Sequence, residues 1–298
     1  MMQNKIQNLL DNFTENHKDN VLPKEFNSHQ IFSKIFFGIA QGSDPLFLKY
    51  KEIIGKYHFT PAELWSSFDF LPRNIHPEEI SVLSFGFSYS DDIKEAGSKS
   101  QISPPELYLI ARNYADTTIN SALVTVQQFL VDLGFNVALC NQSHIVEYVG
   151  YSSSWSERHI AYAAGLGSFS LTDAFISDYG TNIRLGSIIT DAPFPLSKRK
   201  IQTTYSNCLY FVDKSCKKCI ERCPINAISE QGHDKELCHQ YGQKIAQQMM
   251  EKWGTLLKPS SRRVKGEVRQ RRFPAVGCAL CQFDVPCMSQ NPIKNLKK

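Results

Sequence analysis

The chain has 298 residues, of which 42% are hydrophobic and 21% charged, with a formal net charge of +4. That length supports a well-buried core, and one large unit with a smaller one beside it, in a composition ordinary for a globular protein. So mild a charge gives no reason of its own to expect nucleic acid, and no apolar run approaches the roughly 18 residues of a membrane span. The N-terminus, Met1-Met-Gln-Asn-Lys-Ile-Gln-Asn, has neither the apolar stretch nor the cleavage pattern of a signal peptide, so a cytoplasmic setting is expected. Residues 1–80 read as mainly helical. Ile6, Leu9, Leu10 and Phe13 recur at helical spacing. Thr60-Pro61-Ala62-Glu63 offers a Thr N-cap with Pro at the first helical position. Ile31 to Ala40 is the densest early apolar run, and Ser33 and Lys34 interrupt it. His17, His29, His58 and His76 are scattered singly and read as surface or half-buried side chains.

Ile80 to Tyr89 alternates apolar with small polar residues and predicts a core strand. Asp91 to Ser103, with Gly97 and several Ser and Lys, predicts a loop. Leu107, Ile110, Tyr114, Ile119, Leu123, Val126 and Leu130 mark a long amphipathic helix from Pro105 to Leu133, ended by Gly134. Phe135 to Cys140 predicts the next strand, with Cys140 a buried small hydrophobe. Ser156 to Ala164 predicts a short helix closed by Gly165-Leu166-Gly167. This is not a dinucleotide fingerprint, because it follows a helix rather than a strand and Ser170 replaces the third glycine. Phe169 to Ile176 and Arg184 to Thr190 predict a strand pair around the Asp178-Tyr-Gly180 turn. Lys198-Arg-Lys200 then begins a polar linker.

Eight of the nine cysteines follow that linker. Cys216-x2-Cys219-x3-Cys223-Pro224 is close to the bacterial ferredoxin run, in which the Cys before Pro ligates the other of two clusters. Two four-iron clusters need eight thiolates, four each. The spacing assigns Cys216, Cys219 and Cys287, with Cys208, to one cluster, and Cys223, Cys238, Cys278 and Cys281 to the second. Two positions depart from the ferredoxin pattern. Asp213 stands where the first Cys of the run belongs, so either Cys208 loops back or Asp213 ligates. Val285 stands before Pro286 where a Cys would be, and Cys287 follows that Pro. Structural zinc is the competing reading of paired C-x2-C motifs. Disulfides do not suit a cytoplasmic chain. A helix from Lys235 to Trp253 separates the two cysteine groups. Arg262, Arg263, Lys265, Arg269, Arg271 and Arg272 crowd the loop before Cys278. They read as a solvated loop or a basic wall offsetting cluster charge. A patch for tRNA, a phosphorylated cofactor or an acidic redox partner is the alternative.

Over residues 80–298 the order of these elements resembles the epoxyqueuosine reductase family and, more distantly, the reductive dehalogenases. The resemblance is carried by Glu157-Arg158-x5-Ala164-Gly-Leu-Gly167, by Gly180-Thr-Asn-Ile-Arg-Leu-Gly186 running on to Asp191, and by the cysteine series. Arg112-Asn-Tyr114 is similar to a further short family element. The resemblance implies an α+β protein: a nitroreductase-like α/β cobalamin-type domain over residues 1–200, with a helical N-terminal segment, then a bacterial ferredoxin-like two-cluster domain over 201–298. It implies two 4Fe–4S clusters feeding cobalamin, with Arg158, Gly165, Leu166 and Gly167 at the cofactor, and a ferredoxin or flavodoxin as electron donor. No His-based cobalamin motif is present, as in that family. The family's catalytic Asp falls at Tyr151 here. A phenol can donate a proton, and reductive dehalogenases use a Tyr, so Tyr151 is the candidate acid, with Glu147 and Tyr148 as neighbours in reserve and a packed or surface aromatic as the alternative. Ser170-Leu171 replaces the family's Gly-Lys. The expectation is also that the family's C-terminal helical-repeat extension, which helps grip tRNA, is missing. That speaks against tRNA as substrate and leaves a related reductase with another substrate open. A non-catalytic electron carrier that docks to a partner protein, and a zinc-stabilised binding protein, are the remaining alternatives.

Overall fold

Alternation in the sequence places one strand, Ser81–Tyr89, at the centre of the molecule, and every residue in it is buried. The computed structural model describes residues 2–141, 145–199, 203–264, 267–270 and 273–295. In chain order its elements are α1 (Met2–Asn16), β1 (Phe32–Gln41), α2 (Pro45–Ile53), α3 (Pro61–Ser66), β2 (Ser81–Tyr89), α4 (Asp91–Lys99), α5 (Glu106–Asp132) and β3 (Val137–Leu139). There follow a small hairpin of β4 (Tyr148–Val149) and β5 (Ser152–Ser153), α6 (Glu157–Ala163), a second hairpin of β6 (Gly167–Phe169) and β7 (Phe175–Ser177), and β8 (Ile183–Thr190). The cysteine-bearing part adds α7 (Leu209–Asp213), α8 (Lys218–Glu221), β9 (Ile228–Ser229), β10 (Gly232–His233), α9 (Lys235–Trp253), β11 (Ser261–Val264) and β12 (Glu267–Gln270).

The architecture is mixed α/β. Strands β1, β2, β8 and β3 form one antiparallel sheet in that order. Side chains alternate across a strand, so Leu83, Phe85, Phe87 and Tyr89 join the core with α1 and α5. Val82 lies on the opposite face, in a second core with α2, α3 and α6. Small residues on this second face let α6 come close: a Cβ on Gly38 would sit 2.4 Å from the Ala164 carbonyl oxygen. At the start of α3, Thr60 and Glu63 exchange the reciprocal bonds of a capping box behind Pro61, as the sequence predicts.

Several elements differ from the sequence expectation. The stretch 1–80 is not mainly helical, because the Ile31–Ala40 run holds the edge strand β1. Its polar interruptions belong to that edge: Lys34 pairs with Asp11 of α1 at 2.8 Å, and Ser33 donates to the Tyr89 carbonyl. The expected loop after Tyr89 is α4, which has Asp91 and Asp92 in its first turn, where the helix dipole favours them. Strand β8 does not pair with residues 169–176. It crosses the sheet between β2 and β3, while β6 and β7 pair with each other. The basic stretch is a hairpin, β11 with β12, rather than a loop. Lys265, Arg271 and Arg272 lie outside the described residues.

The cysteine-rich part is fastened back onto the sheet. Phe283 is fully buried in the core that contains Leu83 and Phe85, against Tyr108 at a ring distance of 5.1 Å. It lies over Gly97, where a Cβ would meet its ring at 2.1 Å. Gly180, at φ +82, makes room for the Met288 carbonyl, and Thr181 N donates to the Cys287 carbonyl at 2.8 Å. Asn182 donates to the Gln282 carbonyl at 2.6 Å. On the other side, Asn113 of α5 both donates to and accepts from the Lys258 backbone, at 3.0 and 2.8 Å.

Candidate metal centre

Cys208 is the N-cap residue of α7, and Cys219 lies within α8. Those two, Cys216 between them and Cys287 from the C-terminal loop line one small cavity. Its remaining wall is mostly apolar, including Ile176, Tyr210 and Val285. Burial first, then the neighbouring Cys208 and Cys216, push the Cys219 thiol up to about 12. Burial and the same cysteines raise Cys287 as well. Val285 is therefore part of the apolar wall, and the sulfur comes from the residue after Pro286. Asp213 does not line the cavity. It is exposed and accepts from Ser215 N at 2.9 Å, a turn contact that holds its carboxyl below the usual range.

The second set sits beside the first. Cys281 also borders the first cavity, and burial raises its thiol, followed by Cys278, Cys219, Cys238 and Cys223. Burial pushes Cys278 up to about 12, with Cys238 and Cys223 among its neighbours. Ala227 N donates to Cys223 Sγ at 3.2 Å. Cys208, Cys216, Cys219, Cys281 and Cys287 thus share one cavity, which Asp213 does not line, and Cys223, Cys238 and Cys278 are neighbours of Cys281. Among the described residues, no three His, Cys, Asp or Glu side chains converge closely enough to hold a single metal ion.

Next to α7 runs a groove of about 700 Å³. Gly165, Leu166 and Gly167 line it, facing Thr203, Ser206 and Asn207, with Lys198 and Lys294 also on its wall. Gly165 has φ +75, and a Cβ on Gly167 would meet the Ile176 carbonyl at 2.1 Å, so both glycines are demanded by the backbone path.

The chain is similar to solved epoxyqueuosine reductases. A selenomethionine-labelled epoxyqueuosine reductase matches with 16% identity and a TM-score of 0.43, over 88% of this chain and 66% of that one. One from Bacillus subtilis, with its catalytic loop swung out of the active site, gives 18% identity and a TM-score of 0.44 over the same shares, 88% and 66%. A third, solved with an epoxyqueuosine-modified tRNA-Tyr stem loop, gives 17% and 0.42 over 80% of this chain and 56% of that one. The chain thus spans slightly less than two thirds of the length of the first two, which it matches over 66%. No protein-family model and no curated protein matches it.

The other candidate residues lie apart from the groove's lining. Arg158 is turned toward the β6–β7 turn and donates to the Asp173 carbonyl. The Asp173 carboxyl is held at about 2, first by His233 and also by Lys235, whose side chains lie 3.5 and 3.3 Å away. Tyr151 is at the exposed tip of the β4–β5 hairpin. Its hydroxyl bonds Glu236 at the start of α9, and its ring meets His239 edge-on at 5.7 Å. The bond to that carboxylate raises the phenol above its ordinary value. Tyr151 thus stands two residues along the chain from Cys238, at Glu236. His233 escapes sequence reasoning, because it reaches Cys238 and Asp173 only through the fold. Burial pushes the Glu157 carboxyl up to about 7, with Ser187 and Arg184 drawing it part of the way back.

Proposed function

We propose that the protein is an iron–sulfur oxidoreductase of the epoxyqueuosine-reductase type. Cys208, Cys216, Cys219 and Cys287 would hold one four-iron cluster, and Cys223, Cys238, Cys278 and Cys281 the other. The observation that carries this reading is the convergence of four thiols on one cavity, with a member of the second set on its wall. The donor set fits. Cluster ligation needs thiolates, and the buried thiols that rise here would be drawn down by iron's positive charge. Backbone N–H donors to sulfur, as at Cys223, are among the groups that set cluster potential. Adjacent clusters would pass electrons singly through the protein, from an external donor such as a ferredoxin or flavodoxin.

Gly165, Leu166 and Gly167, with the hydroxyl and amide side chains opposite, suit the amide-rich rim of a corrinoid. Such a cofactor would supply a metal centre able to deliver electrons to a bound substrate. The chain's own share is to seat it against α7, beside the first cysteine set. Arg158 would shape the wall behind the site by holding the β6–β7 turn, and Tyr151 would hold a proton against Glu236. Cytoplasmic location belongs to the same proposal, and so does a tRNA or smaller substrate. The second reading, an electron carrier with no chemistry of its own, draws on one observation: Tyr151 does not line the groove.

Cys208→Ala and Asp213→Ala test the ligand set. After anaerobic purification, the Cys208 variant is expected to lose about four of about eight irons, one cluster's worth, while the Asp213 variant keeps all of them. Iron loss on changing Asp213, with none on changing Cys208, would contradict the assignment.

A further inference from the structure

Arg222 is the residue immediately before Cys223, the last position inside the x3 spacing. Among the described residues it is one of the few buried cations, at 7% exposure. Its Nε donates to the Phe283 carbonyl at 3.0 Å, Nη1 to Gln101 Oε1 at 2.9 Å, and Nη2 to the Gly97 and Ser100 carbonyls at 3.2 and 2.7 Å. All four acceptors are neutral. They engage four of the guanidinium's five N–H groups without cancelling a charge that is permanent at any working pH. Glu221, the carboxylate next to it in sequence, is engaged instead by Lys218 at 2.7 Å.

A buried cation without an anion is costly. If the side chain served only to fasten the end of α4 to the C-terminal cysteine loop, a neutral donor would avoid that cost. The negative charge that would answer it is on the cysteines. Arg222 adjoins Cys223 in the chain, bonds the carbonyl two residues after Cys281, and lies within electrostatic reach of Cys278.

We propose that Arg222 is a positioning residue for redox chemistry: its buried charge, which no carboxylate among the described residues pairs with, raises the reduction potential of the cluster held by Cys223, Cys238, Cys278 and Cys281. This rests on the two-cluster reading. A cluster that accepts one electron gains one negative charge, and a fixed cation nearby favours that state, more so where the medium is less polarisable than water. The effect is local, so the two clusters would differ in potential and the second would be the preferred resting place for the electron.

The test is a potentiometric titration followed by EPR on the full chain, purified anaerobically, with iron and sulfide counted in each sample. Arg222→Gln is expected to keep its iron and to move one cluster to lower potential, leaving the other where it was. Arg222→Lys, which keeps the charge, should stay near wild type. Gln101→Glu covers the case in which Arg222→Gln fails to fold. It leaves the guanidinium and its bonds in place but sets a carboxylate against Nη1, and should also lower the potential of that one cluster. Unmoved potentials in iron-replete Arg222→Gln or Gln101→Glu would overturn the proposal, as would an Arg222→Lys shift as large as that of Arg222→Gln. A wild-type protein that holds no iron would instead remove the cluster reading beneath it.

Discussion

Between β1 and β8 the chain buries Phe32, Trp65, Phe85 and Phe87 completely, and the whole of β2 is out of solvent. Between Cys208 and Cys287 the interior is much thinner. Helix α8 has no buried residue; Cys208, Tyr210 and Ile228 share a small core with Leu171 and Ile176, cysteines packed against it, while Ile245, Met249, Leu257 and Phe283 join the core of the sheet. The first region is held by apolar burial, which needs no partner. The second gathers sulfurs around a cavity, and on the proposed two-cluster reading its stability would be tied to what those sulfurs bind.

The largest expected effect separates the two regions. Stripping iron from the anaerobic protein with a chelator should release hydrogen-exchange protection in α7 to α9 while β1, β2 and β8 stay protected. Uniform loss, or no change, would erase the contrast. Next comes the weld between them. Phe283→Ala removes a fully buried ring from the shared core and should cost about 3–5 kcal/mol in denaturant unfolding. Gly97→Ala places a Cβ 2.1 Å from that ring and should cost about 1–3 kcal/mol through overpacking. If either is neutral, Phe283 is not what joins the regions.

A third prediction belongs to the sheet region alone. Glu157 is held at about 7 by burial, against an ordinary 4.5, so the folded state binds the proton more tightly than the unfolded one. Its contribution is complete below 4.5 and is lost as pH rises through about 7. The amount is about 3 kcal/mol, at about 1.4 kcal/mol for each tenfold difference in proton affinity between the two states. Glu157→Gln should remove that fall, so its stability advantage over wild type grows from pH 4.5 to 7, measured as urea midpoints. A parallel pH profile in the two proteins would contradict the assignment. The smallest effect is at Tyr151. Tyr151→Phe should leave the urea midpoint near that of wild type, as exposed positions do, keep its iron, and slow turnover. Unchanged turnover would remove the phenol from the mechanism and favour the electron carrier.

What could be read from the sequence follows the same division. Strand β2 and helix α5 are legible because burial on one face imposes a period. The two cysteine groups are legible because their spacing is set by chemistry. Strand β1 was hidden by Ser33 and Lys34, polar residues that an edge strand tolerates. Helix α4 was hidden by Gly97, which is small to admit Phe283 rather than to break the chain. Spacing could not choose between Cys208 and Asp213, since the choice depends on how α7 turns. Arg222 is invisible in a pattern that counts it as one of three unspecified residues, and only burial singles it out.

The most direct test of the two-cluster account is iron, sulfide, zinc and cobalt per chain, with the visible and EPR spectra, on protein purified without oxygen and with cobalamin supplied. About eight irons with matching sulfide, as two four-iron clusters require, are the expected result, and one cobalt would place the corrinoid with them. Zinc in place of iron, in a colourless protein, would contradict the account.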